Sequence, residues 1–191
     1  MNVRSTESIQ SCVKSLDRSD ILVNNAGLYL LGPVSDLQLD DTRNLFEVNV
    51  FSQLAVTQAF LPLLLGSPRA MIVNNISSGS PAALPFQGTY KASKAALAMY
   101  SASLRLELQP FGTDLRTGMV HSNLVENHAG RDDKLRLPAT SIYAPAAHIG
   151  EKFMRYGIAV KSEPADVWAK GTVGDILKKN PPPLIWRGGS A

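Results

Sequence analysis

One cysteine in 191 residues, Cys12, rules out an internal disulfide and suits a reducing compartment, so a cytoplasmic location is expected. Cys12 itself reads as a buried or half-buried filler. The three histidines, His121, His128 and His148, share no metal-ligand spacing, and no metal site is expected. No apolar run approaches the roughly eighteen residues of a spanning helix, and no secretory leader pattern opens the chain. Repeats and low-complexity tracts are missing too. The net charge of +3 is mild and its basic residues are dispersed, so no nucleic-acid partner is implied. Lys178-Lys179 reads as a pair at a helix end and Pro181-Pro182-Pro183 as an extended connector. The length fits one domain over residues 1–191 with a core of its own.

What is present alternates in period. Apolar strand-like runs at 20–24 and 70–76 are separated by helical patterns at 6–16, 41–65 and 88–109, which argues an α/β fold with a parallel sheet. Asp40 or Asp41 is the expected N-cap of the long helix ending near Leu65. Its core stripe is expected at Leu45, Val48, Ser52, Ala55, Val56, Ala59 and Phe60, with Pro62 loosening the last turn. The helix at 88–109 is alanine-rich and ends at Pro110 and Gly112. Residues 112–118 read as too short and too polar for a whole strand. Two further helices are expected at 145–155 and 164–179, with an irregular polar stretch at 120–144.

Tyr90-Lys91-Ala92-Ser93-Lys94 is the segment that carries chemistry. A tyrosine and a lysine four apart share one helix face. An ammonium beside a phenol favours phenolate and is expected to lower the Tyr90 pKa towards neutrality. Ser77, thirteen residues upstream, ends a strand and can hold a carbonyl or alcohol oxygen against that phenol. The trio is a proton-transfer device for carbonyl/alcohol interconversion, and it needs a hydride carrier because no side chain supplies hydride. Taken alone, a Y-x-x-x-K spacing is common and usually marks a solvated helix face.

Other segments extend the pattern. Asn24-Asn25-Ala26-Gly27 follows Ile21-Leu22-Val23, Asn49 lies in the next helix, and Ile72-Val73-Asn74-Asn75-Ile76-Ser77-Ser78 precedes the tyrosine. In this order they resemble the short-chain dehydrogenase/reductase superfamily of classical type, from about residue 5 to the C-terminus. The stretch from Pro85 to Leu97, with Leu104-Arg105-Leu106-Glu107-Leu108 and Pro110-Phe111-Gly112, resembles the fungal branch near the acyl-dihydroxyacetone-phosphate reductases.

The resemblance implies a Rossmann-like, doubly wound parallel sheet that is incomplete, lacking the first βα units. It implies an NAD(P)-dependent oxidoreductase acting on a small carbonyl or alcohol substrate. Tyr90 would be the general acid and also contact the cofactor, Lys94 would lower its pKa and bridge the nicotinamide ribose, and Ser77 would orient the substrate oxygen. Ser78 stays open as the alternative serine. Asn49 would distort its helix and hold a relay water. Asn25, Ala26 and Gly27 would line the adenosine side of the cofactor, and Asn24 would tie adjacent strands. Val120 and Ser122 would contact the nicotinamide carboxamide. The irregular stretch at 123–144 would be a substrate lid whose mixed apolar and basic content leaves room for a lipid-like or phosphorylated substrate and for association with a lipid or endoplasmic reticulum surface. A homodimer would form through helices 41–65 and 88–109.

Departures from the pattern set a second expectation. The glycine-rich T-G-x-x-x-G-I-G turn that receives the cofactor pyrophosphate does not occur in the sequence. Met1-Asn2-Val3 resembles the family's L-D-V, with Asn2 in place of its aspartate, so the chain reads as starting about two βα units late. A few residues read as deleted after Phe111, and the W-R-G-G-x-A segment at Trp186 to Ala191 closes the sequence. The residue that selects NAD or NADP is absent. NADP is expected from the branch resemblance, with NAD left open. The alternative reading is a catalytically silent remnant or a dimerisation partner.

Overall fold

A computed structural model describes residues 1–77, 83–109, 114–118, 135–159, 164–181 and 184–185. Four parallel strands, β1 (Ile21–Asn24), β2 (Met71–Asn74), β3 (Asp114–Gly118) and β4 (Leu184–Ile185), lie side by side in chain order. Ile21 stands opposite Met71, Met71 opposite Asp114, and Thr117 opposite Leu184. Residues 114–118 therefore do form a strand, against the expectation from their polarity. Pairing with β2 along the register Met71↔Asp114 to Asn74↔Thr117 outweighs weak local propensity there.

The sheet is covered on two sides. Leu22 and Ile72 face a cluster that includes Ile9, Val56, Phe60, Leu64 and Leu108. These come from α1 (Thr6–Lys14), α3 (Ser52–Leu65) and α4 (Gly88–Leu108). Met71, Val73 and Ile185 face the other way and meet Ile176 of the helix Ala165–Ile176. The strand period of two sorts these side chains: Leu22 and Ile72 go one way, Ile21, Met71 and Val73 the other. α1 starts where Ser5 Oγ accepts from Ser8 N at 3.1 Å, and Cys12 is half-buried beneath it.

The long middle helix is three pieces: α2 (Leu39–Phe46), a π-helical turn (Glu47–Phe51) and α3. Gln38, not Asp40 or Asp41, occupies the cap position and makes no side-chain cap bond. The two aspartates sit in the first turn, where they complement the helix dipole. The π turn inserts an extra residue into the helical count and rotates everything after it. Gln53 and Thr57 are buried as a result, while Ala55 of the expected stripe is exposed. Pro62 lies inside α3 without ending it. By length and a mean hydropathy of 1.5, the 27-residue rod Leu39–Leu65 could cross a membrane, contrary to the reading that no such run exists. Half of its most apolar window is buried against the sheet and neighbouring helices, which is the setting of a core helix.

A buried polar ladder crosses the cluster beneath the sheet. Asn24 Nδ2 donates to Asn74 Oδ1 at 2.8 Å and to Thr57 Oγ1 at 2.9 Å. Asn74 Nδ2 donates to Ser101 Oγ at 2.8 Å, and Ser101 Oγ donates to Leu97 O at 2.7 Å. Asn24 thus ties β1 to β2, as expected, and the ladder fixes α3 and α4 against both strand ends.

Candidate active site

The carboxyl ends of β1 and β2 open towards the N-terminal half of α4, and the site is assembled there. β1 runs into Asn25-Ala26-Gly27, and β2 into Asn75-Ile76-Ser77. Ser77 has φ 65, a left-handed conformation that a non-glycine residue adopts at a cost of about 1 kcal/mol. In that conformation its side chain hydrogen-bonds to Tyr90. Ser77 is placed against the phenol; Ser78 lies outside the described residues. Tyr90 is itself buried, in the first turn of α4.

Lys94 is 3% exposed, one turn beyond Tyr90, and its Nζ donates to Asn75 O at 2.8 Å. Asn49 is fully buried in the π turn, where helix distortion was expected. Its Oδ1 accepts from Leu28 N at 2.7 Å, and its Nδ2 donates to Leu28 O and Ser93 Oγ, both at 3.0 Å. Ser93 Oγ in turn donates to Tyr90 O at 2.7 Å. One side chain therefore joins the loop after β1 to the backbone of the tyrosine. Gly27 fits between these groups: a Cβ there would stand 3.3 Å from Asn49 Oδ1 and 3.6 Å from Lys94 Nζ.

The structure thus brings Ser77, Tyr90, Lys94, Asn49 and Gly27 together at one end of the sheet. Asn25 and Ala26 lie on the same loop; Gln53 Nε2 donates to Ala26 O at 2.8 Å and Asn75 Nδ2 to Asn25 Oδ1 at 2.9 Å. Val120 and Ser122 lie outside the described residues, as does most of the expected lid.

Two features carry no signal in the sequence pattern. Asn75 clamps the site three ways: its N–H donates to Asn24 O at 3.0 Å, its amide holds Asn25, and its carbonyl takes the Lys94 ammonium. Tyr29 packs edge-on against Tyr90, ring centroids 4.5 Å apart at 74°.

Electrostatics here are set by dryness. Burial raises the Tyr90 phenol above its ordinary value, opposed by the Ser77 hydrogen bond. This corrects the expectation of a lowered phenol: the Lys94 ammonium is directed at the Asn75 carbonyl, and desolvation dominates. Tyr29 is raised for the same reason, and further by its neighbour Tyr90. Burial brings Lys94 down to about 8.

The Lys94 shift predicts a pH dependence of stability. The folded state penalises the charged lysine fully below pH 8. Between about 8 and 10.5 the unfolded chain holds a proton that the folded chain has shed, so stability rises with pH in that window. Above about 10 the raised Tyr90 works against it, because the unfolded phenol ionises first. Urea unfolding of the wild type should gain on the order of 2 kcal/mol between pH 7 and 10 from this lysine. A Lys94→Met variant should lose most of that slope; an unchanged slope would show Lys94 to be solvated.

A cavity of about 200 Å³ lies between the 30–38 segment and Arg136, Leu137 and Met154. None of Ser77, Tyr90 or Lys94 lines it, so it is not where this chemistry would occur.

Residues 2–132 match the family model described as short chain dehydrogenase. A short-chain dehydrogenase/reductase of Pestalotiopsis microspora is 44% identical over 195 residues, covering 100% of this chain and 67% of that protein. A short-chain dehydrogenase of Neurospora crassa is 33% identical, covering 98% and 66%. The chain spans 59% of the length of a third such relative, from Pyricularia oryzae. Among solved structures, a short-chain dehydrogenase of Streptomyces avermitilis superposes with a TM-score of 0.77 at 24% identity, covering 99% of this chain and 69% of that one. A serine dehydrogenase complexed with NADP⁺ superposes at 0.78 and 18% identity, covering 99% and 74%. At these identities the structures speak for the fold, which is the Rossmann-like one.

Proposed function

This chain belongs to the short-chain dehydrogenase/reductase family, and we propose that its site interconverts a carbonyl and an alcohol with a nicotinamide cofactor. The observation that carries the reading is the Ser77–Tyr90 hydrogen bond beside a buried Lys94, with Lys94 held on Asn75 O and the Tyr90 backbone tied through Ser93 to Asn49. In reduction, Tyr90 Oη gives its proton to the carbonyl oxygen, and Ser77 Oγ holds that oxygen in line. Lys94 offsets the negative charge left on Tyr90 in a site too dry for water to do so. Asn49 positions Leu28 and Ser93, and a relay water beside it would return the proton to Tyr90 by way of Lys94.

The residues present fit the nicotinamide end of the cofactor. Gly27 keeps a side chain out of the space between Asn49 and Lys94, and Lys94 would be the residue that holds the ribose hydroxyls. When bound, the nicotinamide supplies or accepts hydride at the carbon of the substrate. Asn25 and Ala26 would line the adenosine side. The 191 residues contain no glycine-rich turn, so they offer no helix N-terminus of that kind to the pyrophosphate. NADP is the proposed form, on the branch resemblance, and a cytoplasmic location goes with it, on the single half-buried Cys12.

Titration of the purified chain with NADPH, read by enhancement of nicotinamide emission, tests this. Saturable binding that weakens in Lys94→Ala is expected. No binding up to millimolar cofactor by a chain with cooperative unfolding would contradict it and favour the silent or partner reading.

A homodimer through the helices 41–65 and 88–109 is also proposed. Phe51, beside α3, is 52% exposed, and Met99 and Leu106 of α4 are 69% and 59% exposed, more apolar surface than two solvated helix faces need. Light scattering at micromolar concentration should give twice the chain mass, and a clean monomer would count against it.

A further inference from the structure

Beside the catalytic tyrosine the walls of the site are aromatic and aliphatic. Tyr29 is in edge contact with Tyr90 and also packs on a buried cluster of Leu31, Leu135 and Met154. Phe86 packs on the same cluster. From Phe86 the line of rings continues outwards: Tyr143 lies 5.7 Å away at 82°, and Phe153 lies 5.9 Å away at 63°. These outer rings are 42% and 39% exposed, and the Leu31, Leu135 and Met154 cluster joins Phe86 to Tyr29, so apolar side chains extend from the buried phenol to solvent.

Its construction is specific. Phe86 has φ 61, a strained conformation for a bulky residue, and its carbonyl accepts from Gly32 N at 2.8 Å. Gly150, in the helix Ala147–Ala159 that carries Phe153, packs closely here: a Cβ there would stand 3.2 Å from Leu137 Cδ1 and 3.4 Å from the Phe86 ring. Backbone strain at Phe86 thus serves the placing of one ring.

We propose that the carbonyl compound taken by this site is bulky and apolar, an aryl or comparably flat hydrophobic ketone, whose body lies along the Tyr29, Phe86, Tyr143 and Phe153 rings while its oxygen meets Tyr90. This rests on the oxidoreductase reading for the identity of the reacting group. Tyr29 is in edge contact with the Tyr90 ring, so a body held beside that phenol can lie against it. Edge and face contacts to aromatic rings favour a flat apolar body there, and burying the exposed edges of Tyr143 and Phe153 adds to the gain. A small hydroxy or keto acid would leave those edges in water and bring its carboxylate into a dry site.

The test is binding, read by saturation-transfer NMR with the whole chain, of 2-acetylnaphthalene and of pyruvate. Saturable binding of the naphthyl ketone, with none of pyruvate at equal concentration, is expected. Tyr29→Ala should weaken the naphthyl ketone about tenfold, Tyr29→Phe should not, and the exposed-ring variant Tyr143→Ala should weaken it several-fold. The Tyr143 position keeps the test informative should Tyr29→Ala unfold. Pyruvate binding as well as the ketone, or unchanged ketone affinity in both alanine variants, would overturn the proposal. NADPH consumption is followed separately: ketone binding without turnover would leave the wall standing and remove the reductase reading, whereas turnover confined to small acids would do the reverse.

Discussion

Tyr90→Phe should lower carbonyl turnover by on the order of a thousandfold while leaving the fold intact. The phenylalanine ring keeps the edge contact with Tyr29 and the burial in the first turn of α4. What it loses is one hydroxyl: the proton donor to the substrate oxygen and the partner of Ser77. Losing that hydrogen bond should shift unfolding by only about 1 kcal/mol. Cofactor affinity should barely move, because the proposed cofactor contacts of the site are made chiefly by Lys94 and the Asn25–Gly27 loop. Steady-state kinetics should therefore show a fall in kcat with an unchanged Kd for NADPH. A variant that keeps most of its activity would remove Tyr90 from the reaction.

Asn49→Ala should be the most destabilising single change in the site, by about 3 kcal/mol. Asn49 is fully buried and satisfies Leu28 N, Leu28 O and Ser93 Oγ. Alanine leaves all three with no partner from that side chain, in the buried turn around Asn49. Asn49→Asp should also destabilise, because the atom that donates to Leu28 O and Ser93 Oγ becomes an acceptor. Urea denaturation checks both, and a loss below about 0.5 kcal/mol in either would mean the network re-forms without the amide. Because Ser93 Oγ donates to Tyr90 O, the same variants should misplace the tyrosine and depress kcat beyond what their stability accounts for.

Strands and helices with strong periodicity were legible before any coordinates: β1 and β2 as short apolar runs, α4 as an alanine-rich helix between Gly88 and Leu108. So were Ser77, Tyr90, Lys94 and Asn49 as one constellation, because their order along the chain is itself a signal. The interior of the 39–65 rod was not. A stripe counted at 3.6 residues per turn assumes an unbroken helix, and the π turn at Glu47–Phe51 moved Gln53 and Thr57 inward and Ala55 out. β3 was missed because its stability comes from the β2 register, not from Asp114, Arg116 or Thr117 as local strand formers. Tyr29 and Asn75 belong to turns, where no period exists and the role of a residue is decided by a contact with a distant segment. The direction of the Tyr90 shift was misread for a related reason: spacing places a lysine near a phenol but does not give the depth of burial or show that Asn75 O takes the ammonium.

The most direct test of the account is the fate of a label. The protein is incubated with NADPH carrying deuterium at both C4 positions and an aryl ketone, and the alcohol formed is weighed by mass spectrometry. The Ser77, Tyr90 and Lys94 arrangement predicts an alcohol carrying one deuterium on its carbinol carbon, formed by the wild type and almost absent with Tyr90→Phe. An alcohol without the label, or labelled alcohol formed equally by Tyr90→Phe, would contradict it.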